Sequence, residues 1–348
     1  MMSSRGAVKV AALTGGKNVP SARFRVRQLI PSLSKHGVEV REFVPLVSKY
    51  PPERKYLRLA WGIAALAVRI PSVLATHRYD VVLFQRELVS TFVTLEPLTK
   101  RPRVLDVDDA IYLHRGGRFA ERLAQSVDLV ICGNDFLADR FSKWNKNVTV
   151  IPTAIDTHRF VLLERPQQGD LEERYVIGWT GTSSNFKYLY SIETALKQVM
   201  EIFPDVVLRV SADKKPSFRT IPEKRVQFIP WSPENEVKGV QSMTVGIMPL
   251  ADGEWEKGKC SYKMLQYMAC GVPVVVSPVG MNAQILALGE VGLAASSHDE
   301  WVEALRWILV AGREVREKMG REGRRVAEAY FSVEVIAPRL AQALKGLV

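Results

Sequence analysis

The feature that most constrains the fold of this chain is a regular alternation of short apolar runs with longer segments of helical periodicity. The runs are four to seven residues long and rich in Val, Leu and Ile, which is typical of buried parallel strands. Strand–helix–strand units of this kind close through right-handed crossovers into doubly wound sheets. The predicted strands are 8–13, 38–44, 80–84, 103–107, 128–131, 148–151, 175–179, 206–210, 226–229, 244–250 and 272–276.

The alternation starts twice, with a polar, charge-rich segment near 160–173 between the two series. A length of 348 residues suits two domains of about 100–200 residues each. We therefore predict an α/β chain with two Rossmann-like domains, 1–160 and 174–330, facing each other across a cleft. A last helix, 331–348, is predicted to pack across them. Because ligands bind at the carboxyl ends of parallel strands, the loops that leave those ends are the candidate site.

The charge balance and the cysteine content limit the kinds of partner and the compartment that we expect. The 48 Lys and Arg against 37 Asp and Glu give a formal charge of +11, which attracts nucleic acid, anionic membranes or phosphorylated small molecules. The sequence has no zinc-finger spacing, RNP-type aromatic motif or basic heptad region, so we expect no nucleic-acid partner. Three cysteines without a CxxC pair favour a reducing compartment, and we expect a cytoplasmic protein.

An apolar run over 59–68 lies between Arg58 and Arg69 and contains Trp61. It is shorter than the roughly 18 residues that a membrane-spanning helix needs. Two interpretations stay open: burial in a domain core, or peripheral contact with the anionic inner face of a membrane.

The loop after the first strand contains Gly15 and Gly16 and leads into a helix that carries Arg23. Adjacent glycines permit a tight turn and the close approach of a ligand to the backbone. These three residues are candidates for ligand contact, and an ordinary turn is the alternative.

Three carboxylates, Asp106, Asp108 and Asp109, lie within four positions at the end of the fourth strand. Carboxylates in such a cluster raise one another's pKa, which suits proton handling or the binding of sugar hydroxyls. A helix cap with one ion pair is the alternative. No histidine with metal-ligand spacing lies nearby, so we predict no metal site.

Residues 253–259 spell GxxxxGK before a predicted helix. Cys260 stands where a P-loop has Ser or Thr, and two glutamates lie in the loop, so the sequence argues against a P-loop. The spacing of Lys259 and Lys263 predicts two ammonium groups on one helix face near its positive end, which is suited to a diphosphate.

Residues 262–280, YKMLQYMACGVPVVVSPVG, resemble the EAMACGxPVV signature of family-4-like retaining glycosyltransferases of the GT-B fold, also called group 1. Residues 148–160, VTVIPTAIDTHRF, resemble the family's interdomain segment VxVIPNGVDxxxF, and 175–189 resemble the start of its donor domain. The resemblance covers nearly the whole chain in the same order. Two departures are that the family's paired glutamates fall on Gly258 and Gln266, and that its His-Asp falls on Asp108-Asp109.

The resemblance implies a retaining, hexosyl-type transferase that uses a nucleotide-diphosphate sugar and no cofactor, with a glycan or lipid-linked acceptor of the cell envelope. Catalysis is expected at Asp108, Asp109 and Lys263, and acceptor binding at Gly15, Gly16 and Arg23. Donor binding is expected at Gly181, Thr182, Ser183, Lys187, Trp231, Glu254, Lys259, Cys260, Ser261, Lys263 and Gln266. The alternatives are a nucleotide-sugar epimerase of the same architecture and a non-catalytic nucleotide-sugar-binding subunit, which the two missing glutamates favour.

Overall fold

The computed structural model describes residues 6–162 and 175–348, which form two compact units. Unit 1 takes in the chain up to Ala154, together with Gly258–Cys260 and Val333–Val348. Unit 2 takes in Ile155–Lys257 and Ser261–Ser332. Most of the predicted linker at 160–173 lies outside the described residues.

Unit 1 contains a six-stranded parallel sheet of order β2-β1-β3-β4-β5-β6. All six strands predicted in the first half are present. They are β1 Val8–Leu13, β2 Val38–Phe43, β3 Val81–Gln85, β4 Arg103–Val107, β5 Leu129–Cys132 and β6 Val148–Val150. The helices of this unit are α1 Pro20–Arg25, α2 Ile30–Lys35, α3 Arg58–Ala67, α4 Ile70–Ala75, α5 Arg118–Ser126 and α6 Asp135–Phe141, with 3-10 turns between them.

Unit 2 contains a second parallel sheet of order β12-β11-β10-β7-β8-β9. Its strands are β7 Val176–Thr180, β8 Val207–Ala212, β9 Val226–Pro230, β10 Val245–Met248, β11 Val274–Val276 and β12 Gly292–Ala294. The sequence predicts only five of them, because β12 has three residues and begins with glycine. Its helices are α7 Phe186–Ser191, α8 Glu193–Ile202, α9 Pro233–Gln241, α10 Glu254–Lys257, α11 Tyr262–Ala269, α12 Met281–Leu286, α13 His298–Val310 and α14 Arg313–Val326.

The last helix, α15 Val333–Lys345, belongs to unit 1 and continues through Pro338. Its buried residues, among them Ile336, Leu340 and Leu344, pack in one core with Val10, Leu83 and other residues of the unit 1 strands. The apolar face of this helix therefore completes the core of the first sheet.

The strand order identifies the ligand-binding edge of each sheet. In unit 1 successive strands are added first on one side of β1 and then on the other, so the strand order reverses between β1 and β3. In unit 2 the strand order reverses in the same way between β7 and β10. Crevices at such switch points lie outside the carboxyl ends of the strands and commonly hold ligands. The loops after these strands contain several of the predicted site residues.

A helical stretch over Lys55–Arg78 is long and apolar enough, by length and composition, to cross a membrane. It exceeds the run at 59–68 because the helical path continues through Arg69 into α4, and because 3-10 turns at Lys55–Leu57 and Thr76–Arg78 extend it at either end.

Candidate functional site

The glycine loop of unit 1 is shaped around a buried lysine. A side chain at Gly15 would approach Lys49 Cδ to 3.2 Å, and Gly16 has a φ of 152° that L side chains rarely adopt. The backbone conformation therefore requires glycine at position 16, and a side chain at position 15 would displace the buried Lys49. Arg23 is only half-buried and its guanidinium lies 4.5 Å from the centre of the Phe24 ring.

Arg25, two residues further along α1, forms a deeply buried ion pair in unit 1. It donates two hydrogen bonds to Asp106, at 3.0 and 2.7 Å, and another to the Ile151 carbonyl at 2.8 Å. Burial raises the pKa of Asp106, while Arg25 opposes that shift. Asp106 is thus a structural carboxylate that ties the end of β4 to α1.

The other two carboxylates of the cluster are held by Arg86, which follows β3 in the left-handed conformation at φ 62°. Its guanidinium donates to Asp108 at 2.6 Å and to Asp109. Although burial opposes ionisation, Arg86 holds the pKa of Asp108 below its ordinary value. The sequence-based expectation of a raised pKa is wrong for Asp108. The Arg86 guanidinium donates directly to this carboxylate, and its effect on the pKa outweighs that of the neighbouring carboxylates and of burial. Asp108 is an ionised hydrogen-bond acceptor at neutral pH.

A second buried pair lies next to the glycine loop. Lys49 Nζ lies 3.4 Å from Glu87 Oε1, and burial lowers the pKa of this lysine. The other oxygen of Glu87 and both polar side-chain atoms of Gln85 have no hydrogen-bond partner among the described residues. Buried polar atoms are nearly always satisfied, so these three atoms are available to a polar ligand or water at the end of β3.

The segment Gly258–Cys260 packs within unit 1. A side chain at Gly258 would meet the backbone nitrogen of Ala110 at 2.9 Å, and Asn134 donates to the Lys259 carbonyl at 3.1 Å. Cys260 Sγ donates to the Asp108 carbonyl at 3.3 Å, and burial raises the pKa of this thiol to about 12. Cys260 is therefore a packed thiol and not a nucleophile.

This segment corrects one prediction. Lys259 and Lys263 do not lie on one helix face, because α11 begins only at Tyr262 and the preceding Ser261 is buried with φ 52°. The left-handed turn at Ser261 breaks the helical path between the two lysines. Only Lys263 lies in the first turn of α11, near the positive end of the helix dipole.

Lys263 lies against the loop that follows β7. A side chain at Gly181 would meet Lys263 Cε and the Trp179 ring at 2.6 Å each, and Lys263 Nζ lies 5.6 Å from the centre of a Trp179 ring. Gly181 is thus needed for the close approach of Lys263 to the loop. A cation is brought to the carboxyl end of β7, where that strand neighbours β10.

The hydroxyl residues of the same loop are organised by Asp213. The backbone N–H and the hydroxyl of Ser183 donate to Asp213, at 2.6 and 2.8 Å. Although burial opposes ionisation, these bonds hold the pKa of Asp213 below its ordinary value. The Thr182 hydroxyl lies 2.9 Å from that of Ser184 and accepts a hydrogen bond from Asn185 at 2.9 Å.

Glu256, not Glu254, is the buried carboxylate of α10. Glu254 is exposed, whereas Glu256 accepts a hydrogen bond from the Tyr188 hydroxyl and lies 3.8 Å from Lys187 Nζ. The Lys187 side chain is largely exposed and lies over the Tyr188 ring. The sequence does not separate the two glutamates, since both lie within one four-residue helix.

Gln266 lies in a buried network that supplies a carboxylate from a different helix. Its Nε2 donates to Glu236 of α9 at 2.9 Å, and Glu236 pairs with Arg159 at 2.8 Å. Trp231, at the end of β9 and 40% exposed, points its indole Nε1 at Glu236 from 3.4 Å. Glu236 thus provides negative charge next to the position where the family's glutamate is replaced by Gln266.

Sequence reasoning missed Lys49, Arg86, Glu87, Glu236 and Glu256. Arg86 and Glu87 carried a signal, because a charged pair directly follows a buried strand; the others carried none. Among the described residues, no group of three His, Cys, Asp or Glu side chains is arranged to hold a metal ion.

Comparison with known proteins places this geometry in context. Residues 174–310 match the family described as glycosyl transferases group 1. A search of curated proteins found no match. HepE from Anabaena, solved with UDP and glucose, is similar in structure, with a TM-score of 0.71, 18% identity and coverage of 98% of this chain and 100% of that one.

Two further structures are similar over nearly their whole lengths. WaaG, a glycosyltransferase involved in lipopolysaccharide biosynthesis, gives a TM-score of 0.66 at 14% identity, covering 97% of this chain and 100% of WaaG. Sucrose-phosphate synthase from Thermosynechococcus elongatus gives a TM-score of 0.69 at 16% identity, covering 98% of this chain and 99% of the synthase chain. At these identities the likeness establishes the fold, which is the GT-B fold.

Proposed function

We propose that this protein, whose residues 174–310 match the group 1 glycosyltransferases, transfers a sugar, with retention of configuration, from a nucleotide-diphosphate sugar to an acceptor. The observation that carries the proposal is the position of Lys263 in the first turn of α11, against Gly181 at the carboxyl end of β7. A helix N-terminus and an ammonium group together favour a diphosphate.

On the donor side, we assign the leaving diphosphate to Lys263, with hydrogen bonds from the Thr182–Ser183 loop. Trp231 is assigned to the base and the Gln266–Glu236 network to the ribose, since a carboxylate is a strong acceptor for hydroxyl groups. Negative charge on the diphosphate grows as the sugar departs, so Lys263 stabilises the transition state more than the ground state.

On the acceptor side, we assign Gly15, Gly16 and Arg23 to binding, and Asp108 and Asp109 to the reacting end. Asp108 is ionised through Arg86, so it accepts a hydrogen bond and does not act as a general acid. Retaining transfer then proceeds without a protein nucleophile: the departing phosphate oxygen takes the proton of the acceptor hydroxyl, and the fixed charges stabilise the separated charge.

UDP is the first nucleotide to test, because HepE was solved with it. A glycan or lipid-linked acceptor of the cell envelope is the proposed acceptor class, because WaaG is described as acting in lipopolysaccharide biosynthesis.

The experiment is to incubate the protein with UDP-sugars and measure nucleoside diphosphate release with and without a glycolipid extract, followed by NMR of the new glycosidic bond. Transfer with retained anomeric configuration is the expected result. Conversion of one UDP-sugar into another with no acceptor would identify an epimerase. Tight UDP binding with no turnover of any donor would identify a binding subunit.

A further inference from the structure

The helical stretch Lys55–Arg78 presents its apolar face to solvent. Leu59, Ile63 and Leu74 are 78%, 63% and 65% exposed. Together with Ala67 and Ile70 they recur every three or four residues, so they form one stripe along α3 and α4. We call these five residues the outer stripe.

The opposite side of the same stretch faces unit 1. Ala65, Arg69 and Val73 are buried there, and Arg69 donates to the Thr14 carbonyl at 2.6 Å. The polarity is thus the reverse of an ordinary surface helix, since the cation in the middle lies inside and the large aliphatic side chains lie outside. Packing of Ala65, Arg69 and Val73 holds the second half of the stretch against unit 1.

Basic side chains lie at both ends of the outer stripe. Residues 51–79 contain five Lys or Arg and one acidic residue, Glu53. Arg54, Lys55 and Arg58 are exposed at one end and Arg78 at the other. Arg78 also lines an open groove with Lys9, Arg41 and Glu39, next to Ala75 of α4. An apolar surface with cations at both ends is suited to a binding partner that has an apolar interior and an anionic surface layer.

We propose that the outer stripe lies in the interfacial layer of an anionic phospholipid bilayer, with α3 and α4 parallel to the membrane plane. Amphipathic helices bind there through buried apolar area and through the attraction of Lys and Arg to anionic headgroups. A second copy of the chain is a poorer occupant, because a symmetric contact would bring the same cations face to face. The proposal does not depend on the sugar-transfer activity, and no substrate is needed to test it.

The test is sedimentation of the full-length protein with phosphatidylcholine vesicles with and without about one-third phosphatidylglycerol. The variant Leu59→Gln/Ile63→Gln/Leu74→Gln is compared with Ile202→Gln/Val310→Gln, which removes exposed aliphatic groups from unit 2. All these positions are exposed, so the fold is retained, which thermal unfolding checks. We expect binding to the anionic vesicles to fall at least tenfold in the first variant and to be unchanged in the second.

Two further measurements distinguish a helix bound at the membrane surface from a membrane-spanning segment and from a contact between two copies of the chain. Arg58→Gln is expected to weaken binding about fivefold at low salt, the equivalent of about 1 kcal/mol per cation near the surface. Since all three native cysteines are buried, a fluorophore on Ile63→Cys reports the environment of the stripe, with Val310→Cys as the control.

An emission shift at position 63 alone, with release of the protein by high salt, is the expected result. Absence of vesicle binding at low salt overturns the proposal. Retention after high salt and alkaline carbonate overturns it in favour of a spanning segment. A concentration-dependent dimer that is lost in the stripe variant, with no vesicle binding, overturns it in favour of a contact between copies.

Discussion

The carboxyl edges of the two sheets are built from different groups. In unit 1, arginines and a lysine hold the acids in place: Arg25 holds Asp106, Arg86 holds Asp108 and Asp109, and Lys49 pairs with Glu87. In unit 2, the loop after β7 offers backbone, hydroxyls and the start of α11, with Lys263 over an aromatic ring.

The difference indicates how each edge treats charge. Ion pairs in unit 1 largely neutralise one another, so that edge is suited to a neutral, hydroxyl-rich ligand that needs fixed acceptors. The edge of unit 2 has a cation and a helix dipole at the same point, so it is suited to an anion. This contrast supports the proposed assignment of the acceptor to unit 1 and of the donor to unit 2.

The largest expected effect is on stability, from Arg25→Met. Asp106 would stay buried without its partner, and breaking a buried pair costs about 3–5 kcal/mol. Arg313→Met, which breaks an exposed pair with Glu317 in α14, should cost less than about 1 kcal/mol. Scanning calorimetry of both variants measures this difference. Equal losses would contradict the account of unit 1 as an edge of buried ion pairs.

Arg86→Met should change how stability depends on pH. In the native protein the pKa of Asp108 is lowered, so its stabilisation is complete above the ordinary value of 3.8 and is lost as the pH falls through the lowered value. Without Arg86, burial raises this pKa, so stability falls as the pH rises above 3.8. We expect a deficit of about 3 kcal/mol at pH 7 that shrinks toward pH 4, measured by denaturant unfolding. A deficit independent of pH would show that Arg86 acts by packing alone.

Replacing Gly258 or Gln266 by the family's glutamate should lower the stability of this protein. Gly258→Glu brings a Cβ within 2.9 Å of the Ala110 nitrogen, for an expected loss of about 1–3 kcal/mol, and Gly258→Ala should lose nearly as much. Thermal unfolding is the measurement. An unchanged midpoint in both variants would show that the segment relaxes freely.

In unit 2, Gln266→Glu would place a second carboxylate 2.9 Å from a Glu236 oxygen. Like charge and burial raise the pKa of the new glutamate, so stability should fall by about 1–2 kcal/mol as the pH rises from 5 to 8. Gln266→Met, which adds no charge, is the control, and its loss should not vary over this range. Increased stability of Gln266→Glu at pH 8 would contradict the network described here.

The smallest expected effect is that of a chelator. Charge on the diphosphate is assigned to Lys263 and the helix, so sugar transfer should be unchanged in excess EDTA. Transfer that stops in EDTA and returns on titration with Mg²⁺ or Mn²⁺ would contradict this assignment.

The sequence predicts the frame of the site better than its interior. Eleven of the twelve strands among the described residues, and the loops at Gly15 and Asp108, follow from local patterns of apolar residues and turns, whereas Gly181 follows from the family resemblance. The partners Lys49 and Glu236 come from positions distant in sequence, so no local pattern identifies them. Arg86 directly follows β3, but no local pattern pairs it with Asp108. Lys259 is misplaced for a similar reason, because no local pattern predicts the left-handed turn at Ser261, which directly follows the packed Cys260.

The most direct test of the central claim is calorimetric titration of UDP into the native protein, Lys263→Ala and Lys318→Ala. Lys318 lies on α14 in an exposed pair with Glu290. Its replacement therefore removes the same charge as Lys263→Ala but from a position outside the proposed site. A charge-assisted hydrogen bond to phosphate is worth about 1.5–3 kcal/mol, so we predict that Lys263→Ala weakens UDP binding about ten- to a hundredfold and that Lys318→Ala leaves it unchanged. Equal affinity in all three proteins would contradict the donor site at the start of α11.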